Sequence, residues 1–243
     1  MEVYPDPSAV ARAAAELVVD LCAEAVDATG RFLIALSGGN TPRGLYERLA
    51  GPGYAERIPW ESVHVFWGDE RCVPPFDPQS DYGMAKEVLL DHVEIAEGRI
   101  HRIRGEDDPE LVAGEYERLL RRTFGAMTGP PPTVPGARFD LVLLGMGEDG
   151  HTASLFPGTS AVQELHRWVM PVEAPADPRR RVSLTPPVLN ASAHTLFMVT
   201  GAEKAPALAA VLEGPRDPLA YPSQAIEDAE WFVDADAASL LTA

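Results

Sequence analysis

His151 follows Asp149 by two residues in the run Gly145-Met146-Gly147-Glu148-Asp149-Gly150-His151. An imidazole exchanges a proton near neutral pH, and a neighbouring carboxylate can orient the ring or stabilise its cation. The pair therefore suits general-base chemistry. Three glycines within six residues make a backbone that turns tightly and leaves room beside it. Just before them, Leu141-Val142-Leu143-Leu144 is an apolar run of the length of a buried strand. His151 thus stands at the carboxyl end of a core strand, where open α/β sheets place their ligands. Alone, a turn histidine of this kind is ordinarily a hydrogen-bonded structural residue, so the rest of the chain has to decide.

The same glycines spell G-x-G-x-x-G after a strand, with Glu173 further on as the acid a dinucleotide ribose would need. The chemistry is wrong for that reading. Glu148 and Asp149 put carboxylates where a pyrophosphate needs bare amides, and Pro157-Gly158 would stop the following helix early.

A second glycine turn, Ser37-Gly38-Gly39-Asn40-Thr41-Pro42, follows the apolar run Arg31 to Leu36. Asn40 or Thr41 is placed to cap a helix with Pro42 in its first turn. Free N–H groups at that helix start, with no side chain on Gly38 or Gly39, make a phosphate cradle. No P-loop lysine follows, and Ser37 is not in a G-x-S-x-G elbow. A third turn, Gly68-Asp69-Glu70-Arg71, ends the strand Val63 to Trp67. Arg71 offers a guanidinium fork to a phosphate, or a salt bridge to Asp69 or Glu70; the two roles are compatible. Asp177-Pro178-Arg179-Arg180-Arg181 is the only dense basic cluster. Such a run is usually a solvated loop, but its place at a strand edge makes it a candidate anion site.

The elements that must position these residues alternate along the whole chain. Asp6-Pro7-Ser8 starts a long amphipathic helix that Thr29-Gly30 ends. Further helices begin at Asp81, Asp108-Pro109, Thr185-Pro186 and after Lys204. Apolar strands are expected at Trp168 to Val172, Leu196 to Thr200 and Ala229 to Val233, with a short edge strand at Arg99 to Arg104. This alternation implies a mostly parallel sheet covered on both faces, and one domain over residues 1–243 despite the connector Gly129-Pro130-Pro131-Pro132. The turns at Ser37, Asp69 and Asp149 should then share one rim.

Composition narrows the partners. A net charge of −17 over 243 residues argues against nucleic acid or an anionic membrane surface, and no apolar run approaches a membrane span. An anionic substrate would need a locally basic patch. The two cysteines, Cys22 and Cys72, have no metal or redox spacing and read as reduced thiols of a cytoplasmic protein. Nothing in the chain demands assembly, so the expectation is a monomer or a weak homo-oligomer.

Taken together, the turns resemble those of the 6-phosphogluconolactonases, within the wider group that includes the glucosamine-6-phosphate deaminases. The segments Ser37 to Pro42, Gly68 to Pro74, Gly145 to Pro157, Arg181 to Thr185 and Gly201 to Ala205 carry the resemblance. It implies a Rossmann-like three-layer αβα sandwich and hydrolysis of 6-phospho-D-glucono-1,5-lactone to 6-phosphogluconate, with neither metal nor cofactor. His151 would take a proton from the attacking water, with Asp149 orienting it and amides of the glycine turn around Gly147 receiving the oxyanion. The phosphate would sit on the turn from Ser37 to Thr41 with Asp69, Arg71 and Arg181 nearby, and Lys204 is a further candidate. The deaminase pattern differs where it matters: a glutamate five positions after the histidine belongs to its acid–base machinery, and here that position is Phe156. A non-catalytic sugar-phosphate sensor is a third possibility, but such regulators carry a basic DNA-binding helical module that this chain does not show.

Overall fold

Strand β2 (Phe32–Leu36) and strand β5 (Leu141–Leu144) are buried at every residue. Apolar runs without polar alternation have to be covered on both faces, and both strands lie inside a parallel sheet. In the computed structural model, which describes residues 1–242, that sheet has six strands. They run β1 (Glu2–Tyr4), β9 (Glu230–Asp234), β8 (His194–Val199), β5, β2 and β3 (Val63–Trp67), each parallel to its neighbours.

The order fixes where a ligand can go. From β2 the chain moves to β3 on one side, and β5 then returns to pair with the other side of β2. The loops leaving β2 and β5 therefore diverge in opposite directions, and open a crevice at the carboxyl ends of these strands.

Helix α1 (Pro7–Thr29) forms as the sequence predicts: Asp6 accepts from the Ala9 amide at 2.8 Å, and Gly30 closes the helix in the left-handed conformation. Its buried face includes Val10, Ala14, Val18 and Leu21. Helix α2 (Asn40–Leu49) departs from expectation. Gly39 is its cap, and neither Asn40 nor Thr41 closes the end with a side chain; Thr41 instead pairs its hydroxyl with that of Thr200 at 2.7 Å. The remaining helices are α3 (Asp81–Val88), α4 (Pro109–Thr123), α5 (Pro186–Asn190) and α6 (Ala205–Glu213).

Two readings change. The turn after β3 becomes a strand, β4 (Asp69–Arg71), and the last two residues of the basic cluster open another, β7 (Arg180–Leu184), in a separate antiparallel sheet with β6 (Val169–Glu173). Conversely, Arg99 to Arg104 is no strand. A 3-10 turn runs into it, and only Ile100 bridges to Val65 of β3, so the ladder stops after one step. No helix of the described residues is long and apolar enough to cross a membrane.

Candidate active site

The three predicted turns meet at one crevice of about 250 Å³. Ser37, Gly38 and Gly39 reach it from the end of β2, Asp69 and Arg71 from β4, and Gly147 and His151 from the loop after β5. Arg181 enters from β7 and Lys204 from the turn after β8. Asp149 stands behind His151 rather than on the crevice wall. Asn40 and Thr41 line a neighbouring groove beside α1, and Asn40 also lines an outer groove that shares Gly39, Arg71 and Arg181 with the crevice.

The histidine is held by its own turn. Its Nδ1 lies 2.6 Å from Asp149 Oδ1, which also accepts the His151 amide at 3.0 Å. The hydrogen bond to His151 holds the Asp149 carboxyl below the usual carboxylate range, so Asp149 is ionised and can only accept. Nδ1 of the neutral ring therefore carries the proton and Nε2 carries the lone pair. Nε2 has no protein partner among the described residues. Phe156 packs on the ring with centroids 4.5 Å apart, giving the imidazole one apolar wall.

Glycine is required at 147 by contact. A Cβ there would stand 2.0 Å from His151 Nδ1 and 2.7 Å from Asp149 Oδ1, inside the pair itself. The turn is closed by its own backbone, with Gly147 N–H donating to His151 O at 2.8 Å and Gly150 N–H to Gly147 O at 3.0 Å. Those two amides are thereby committed. Gly147 itself lines the crevice while its amide is spent within the turn. Ser223 fastens the turn from below, donating its amide and its hydroxyl to Gly150 O, each at 2.9 Å.

Across the crevice, the Ser37 turn is clamped by Tyr46, fully buried in α2, whose hydroxyl accepts the Ser37 amide at 3.0 Å and donates to Ser37 O at 2.8 Å. Neither the Gly38 nor the Gly39 amide donates to a protein acceptor among the described residues.

The basic wall comes from β4 and β7, where Arg71 and Arg181 are direct cross-strand partners. Like charges placed opposite one another in a ladder are unfavourable unless something anionic sits between or beside them. Arg71 donates from Nη1 to Asp81 Oδ1 at 2.7 Å and to Gln79 O at 2.9 Å. The ion pair is thus made with Asp81, and not with Asp69 or Glu70, the alternative partners the sequence offered. Strand alternation turns Glu70 away from the crevice. There it accepts the amides of Asp81 and Tyr82, both at 2.8 Å, at the start of α3. Asp69 faces the crevice and accepts the Ser154 hydroxyl at 2.6 Å. Arg181 donates Nε to Pro178 O at 2.7 Å and has no carboxylate partner among the described residues. Burial lowers its guanidinium below the ordinary arginine range. Ser37 Oγ and Arg71 Nε are buried polar atoms with no hydrogen-bond partner.

Sequence reasoning missed two residues of this site. Tyr46 looked like an ordinary apolar helix position, and Asp81 like a helix start. The one signal for Asp81 was an acid beginning a helix directly after the Pro-rich loop that follows Arg71.

Residues 5–233 match the family of glucosamine-6-phosphate isomerases/6-phosphogluconolactonase. The chain belongs to this family. A 6-phosphogluconolactonase of a Nostoc species is 41% identical over all of this chain and 98% of its own length. That of Mycobacterium tuberculosis is 36% identical, over 99% of this chain and 98% of its own. Among solved structures, the Thermotoga maritima 6-phosphogluconolactonase superposes with a TM-score of 0.80 at 29% identity, covering 96% of this chain and 98% of that one. A monomeric glucosamine-6-phosphate deaminase superposes with a TM-score of 0.79 at 23% identity, over 99% of this chain and all of that one. This last likeness shows a shared fold and no more.

Proposed function

We propose that the chain hydrolyses 6-phospho-D-glucono-1,5-lactone to 6-phosphogluconate, with His151 as general base. The observation that carries the mechanism is the unused Nε2 of His151, on a ring locked by Asp149, facing a crevice whose opposite wall holds two paired arginines. A lactone is an activated ester and needs deprotonated water rather than a covalent nucleophile. Nε2 takes one proton from water as its oxygen bonds to C1. Collapse of the tetrahedral intermediate breaks the bond between C1 and the ring oxygen, which takes that proton back from His151. Asp149 stabilises the imidazolium between the two steps.

The substrate phosphate then lies against Arg71 and Arg181, with Lys204 and the free amides of Gly38 and Gly39 beside it. Two guanidinium forks and unpaired donors form a locally basic site in a chain of charge −17. The 41% identity to a lactonase over the full length supports this substrate. So does Phe156, 5% exposed and packed on the imidazole where the deaminase pattern has its glutamate. No group of three His, Cys, Asp or Glu residues among those described could hold a metal ion.

We treat residues 1–243 as one domain, because β1 pairs with β9 and β2 pairs with β5 across the Pro-rich connector. The unpaired Cys22 and Cys72 fit a reducing compartment, and we assign the enzyme to the cytoplasm, acting as a monomer or weak homo-oligomer.

The test is opening of freshly generated lactone above its spontaneous rate, with and without a chelator, beside an ammonia-release assay on glucosamine 6-phosphate. Chelator-resistant acceleration without ammonia is expected. Ammonia release in place of lactone opening would transfer the chain to the deaminase reaction, and silence in both would make it a binding protein.

A further inference from the structure

Asp81 has no role in the chemistry above, yet it stands in the middle of the anion-binding wall. It is 2% exposed, and its Oδ1 is 2.7 Å from Arg71 Nη1. The same oxygen lies 1.5 Å from where a Cβ on Gly38 would be, so it presses against the turn that lines the crevice. A phosphate lying between Gly38 and the two arginines would have this carboxylate as a neighbour. Asp81 already takes Nη1 of the Arg71 guanidinium.

A phosphate beside an ionised Asp81 adds a second anion to this wall. From β4, Asp69 and Glu70 add negative charge and Arg71 opposes it; from β7, Arg181 opposes it. Tyr46 of α2 is the neutral titratable neighbour, and Lys204 faces it across the crevice. Arg43 and Glu87 line the outer groove on the far side and pair with each other at 3.3 Å. Burial first, then Asp69 and Glu70, push the Asp81 carboxyl well above the usual carboxylate range.

We propose that Asp81 is the internal anion that holds Arg71 in the ligand-free enzyme, and that bound phosphate replaces it there as Asp81 takes up one proton from solvent. The proposal rests on the phosphate placement above. Protonation removes the repulsion and turns one carboxylate oxygen into a donor that can reach a phosphate oxygen. The guanidinium stays positioned throughout, first by Asp81 and then by the ligand, so Asp81 is a positioning residue rather than a participant in bond breaking.

The experiment is calorimetric titration with 6-phosphogluconate at pH 8, in buffers of different ionisation enthalpy. The ligand's phosphate loses its second proton near pH ~6, so uptake at pH 8 reports the protein. Wild type is expected to take up protons on binding, with affinity falling as pH rises from 7.5 to 9. Asp81→Asn is expected to take up none and to bind about tenfold more tightly at pH 8, because it removes a like charge from the site. Absence of uptake by wild type, or equal uptake by Asp81→Asn, overturns the proposal. Arg181→Ala separates it from its premise. Unchanged affinity in that variant would move the phosphate elsewhere and remove both claims. Weakened affinity, together with an unchanged proton count in Asp81→Asn, would remove the Asp81 role alone.

Discussion

Two pairs in this chain use the same imidazole ring and leave its Nε2 in opposite conditions. At the outer edge of the parallel sheet, Arg99 Nη1 lies 3.2 Å from His64 Nε2, and His64 Nδ1 lies 3.0 Å from His101 Nε2. Arginine only donates, so His64 Nε2 accepts, its Nδ1 carries the proton, and His101 Nε2 accepts in turn. Both Nε2 lone pairs are consumed. In the crevice Nδ1 of His151 donates likewise, here to a carboxylate, but its Nε2 is left with the lone pair unused. What makes one histidine a base and the other a structural link is the partner on Nε2 itself. An acceptor on Nδ1 puts the lone pair on Nε2 in both rings; Arg99 then fills that position in His64, and no described residue fills it in His151.

The neighbours follow the same division. Arg99 is spent on His64, whereas Arg181 keeps its terminal guanidinium nitrogens clear of any carboxylate among the described residues. The edge pair has no acid to stabilise a charged ring, and burial together with His64 draws His101 down to about 4. The crevice pair has Asp149.

The comparison breaks most easily at His151. His151→Ala should lower kcat by about 10²–10⁴-fold, the usual worth of a positioned general base, while 6-phosphogluconate binds nearly as before. Steady-state kinetics beside a binding titration checks this, and near-normal turnover would place the base elsewhere. Next in size is Asp149→Ala, which removes a charge-assisted hydrogen bond worth about 1.5–3 kcal/mol. It should cost about 10–100-fold in kcat with little change in KM. A change confined to KM would mean that Asp149 touches substrate instead of His151.

Arg181→Ala should raise KM about tenfold or more and change kcat less, because it removes a donor to the phosphate rather than to the reacting carbon. The smallest effect belongs to the edge pair and should leave activity alone. With His101 lowered to about 4, the folded chain stays unprotonated there while the unfolded chain binds protons below about pH 6.5. This contribution to stability is present above pH 6.5 and is lost as pH falls toward 4. Thermal unfolding between pH 7 and 5 should therefore show a shallower acid loss in His101→Gln than in wild type. Equal slopes would remove His101 as a source of acid sensitivity.

The sequence made some of this legible for identifiable reasons. Glycine clusters straight after buried apolar runs revealed the Ser37, Asp69 and Asp149 turns, because only a turn at a strand end combines those residues. Parallel strands leave their carboxyl ends on one side, so the shared rim followed. The facing of Arg71 and Arg181 did not, because a cross-strand pair so far apart in the chain leaves no local trace. For Arg71 the sequence offered its own neighbours as partners. Strand alternation sends Glu70 to the opposite face, Ser154 holds Asp69, and Asp81 from α3 takes the place. The caps at Asn40 and Thr41 failed because Gly39 already gives α2 its entry conformation. His101 drew no attention at all, since its alternation with isoleucine and arginine resembles an edge strand.

The free nitrogen of His151 is the centre of the account, and two-bond proton–nitrogen NMR correlation of the histidine rings at pH 8 observes it without substrate. The His151 signals are those absent from the spectrum of His151→Ala. The account predicts a proton on Nδ1 and an unprotonated, pyridine-type Nε2 for that ring. A ring protonated at Nε2, with Nδ1 bare beside Asp149, would contradict it.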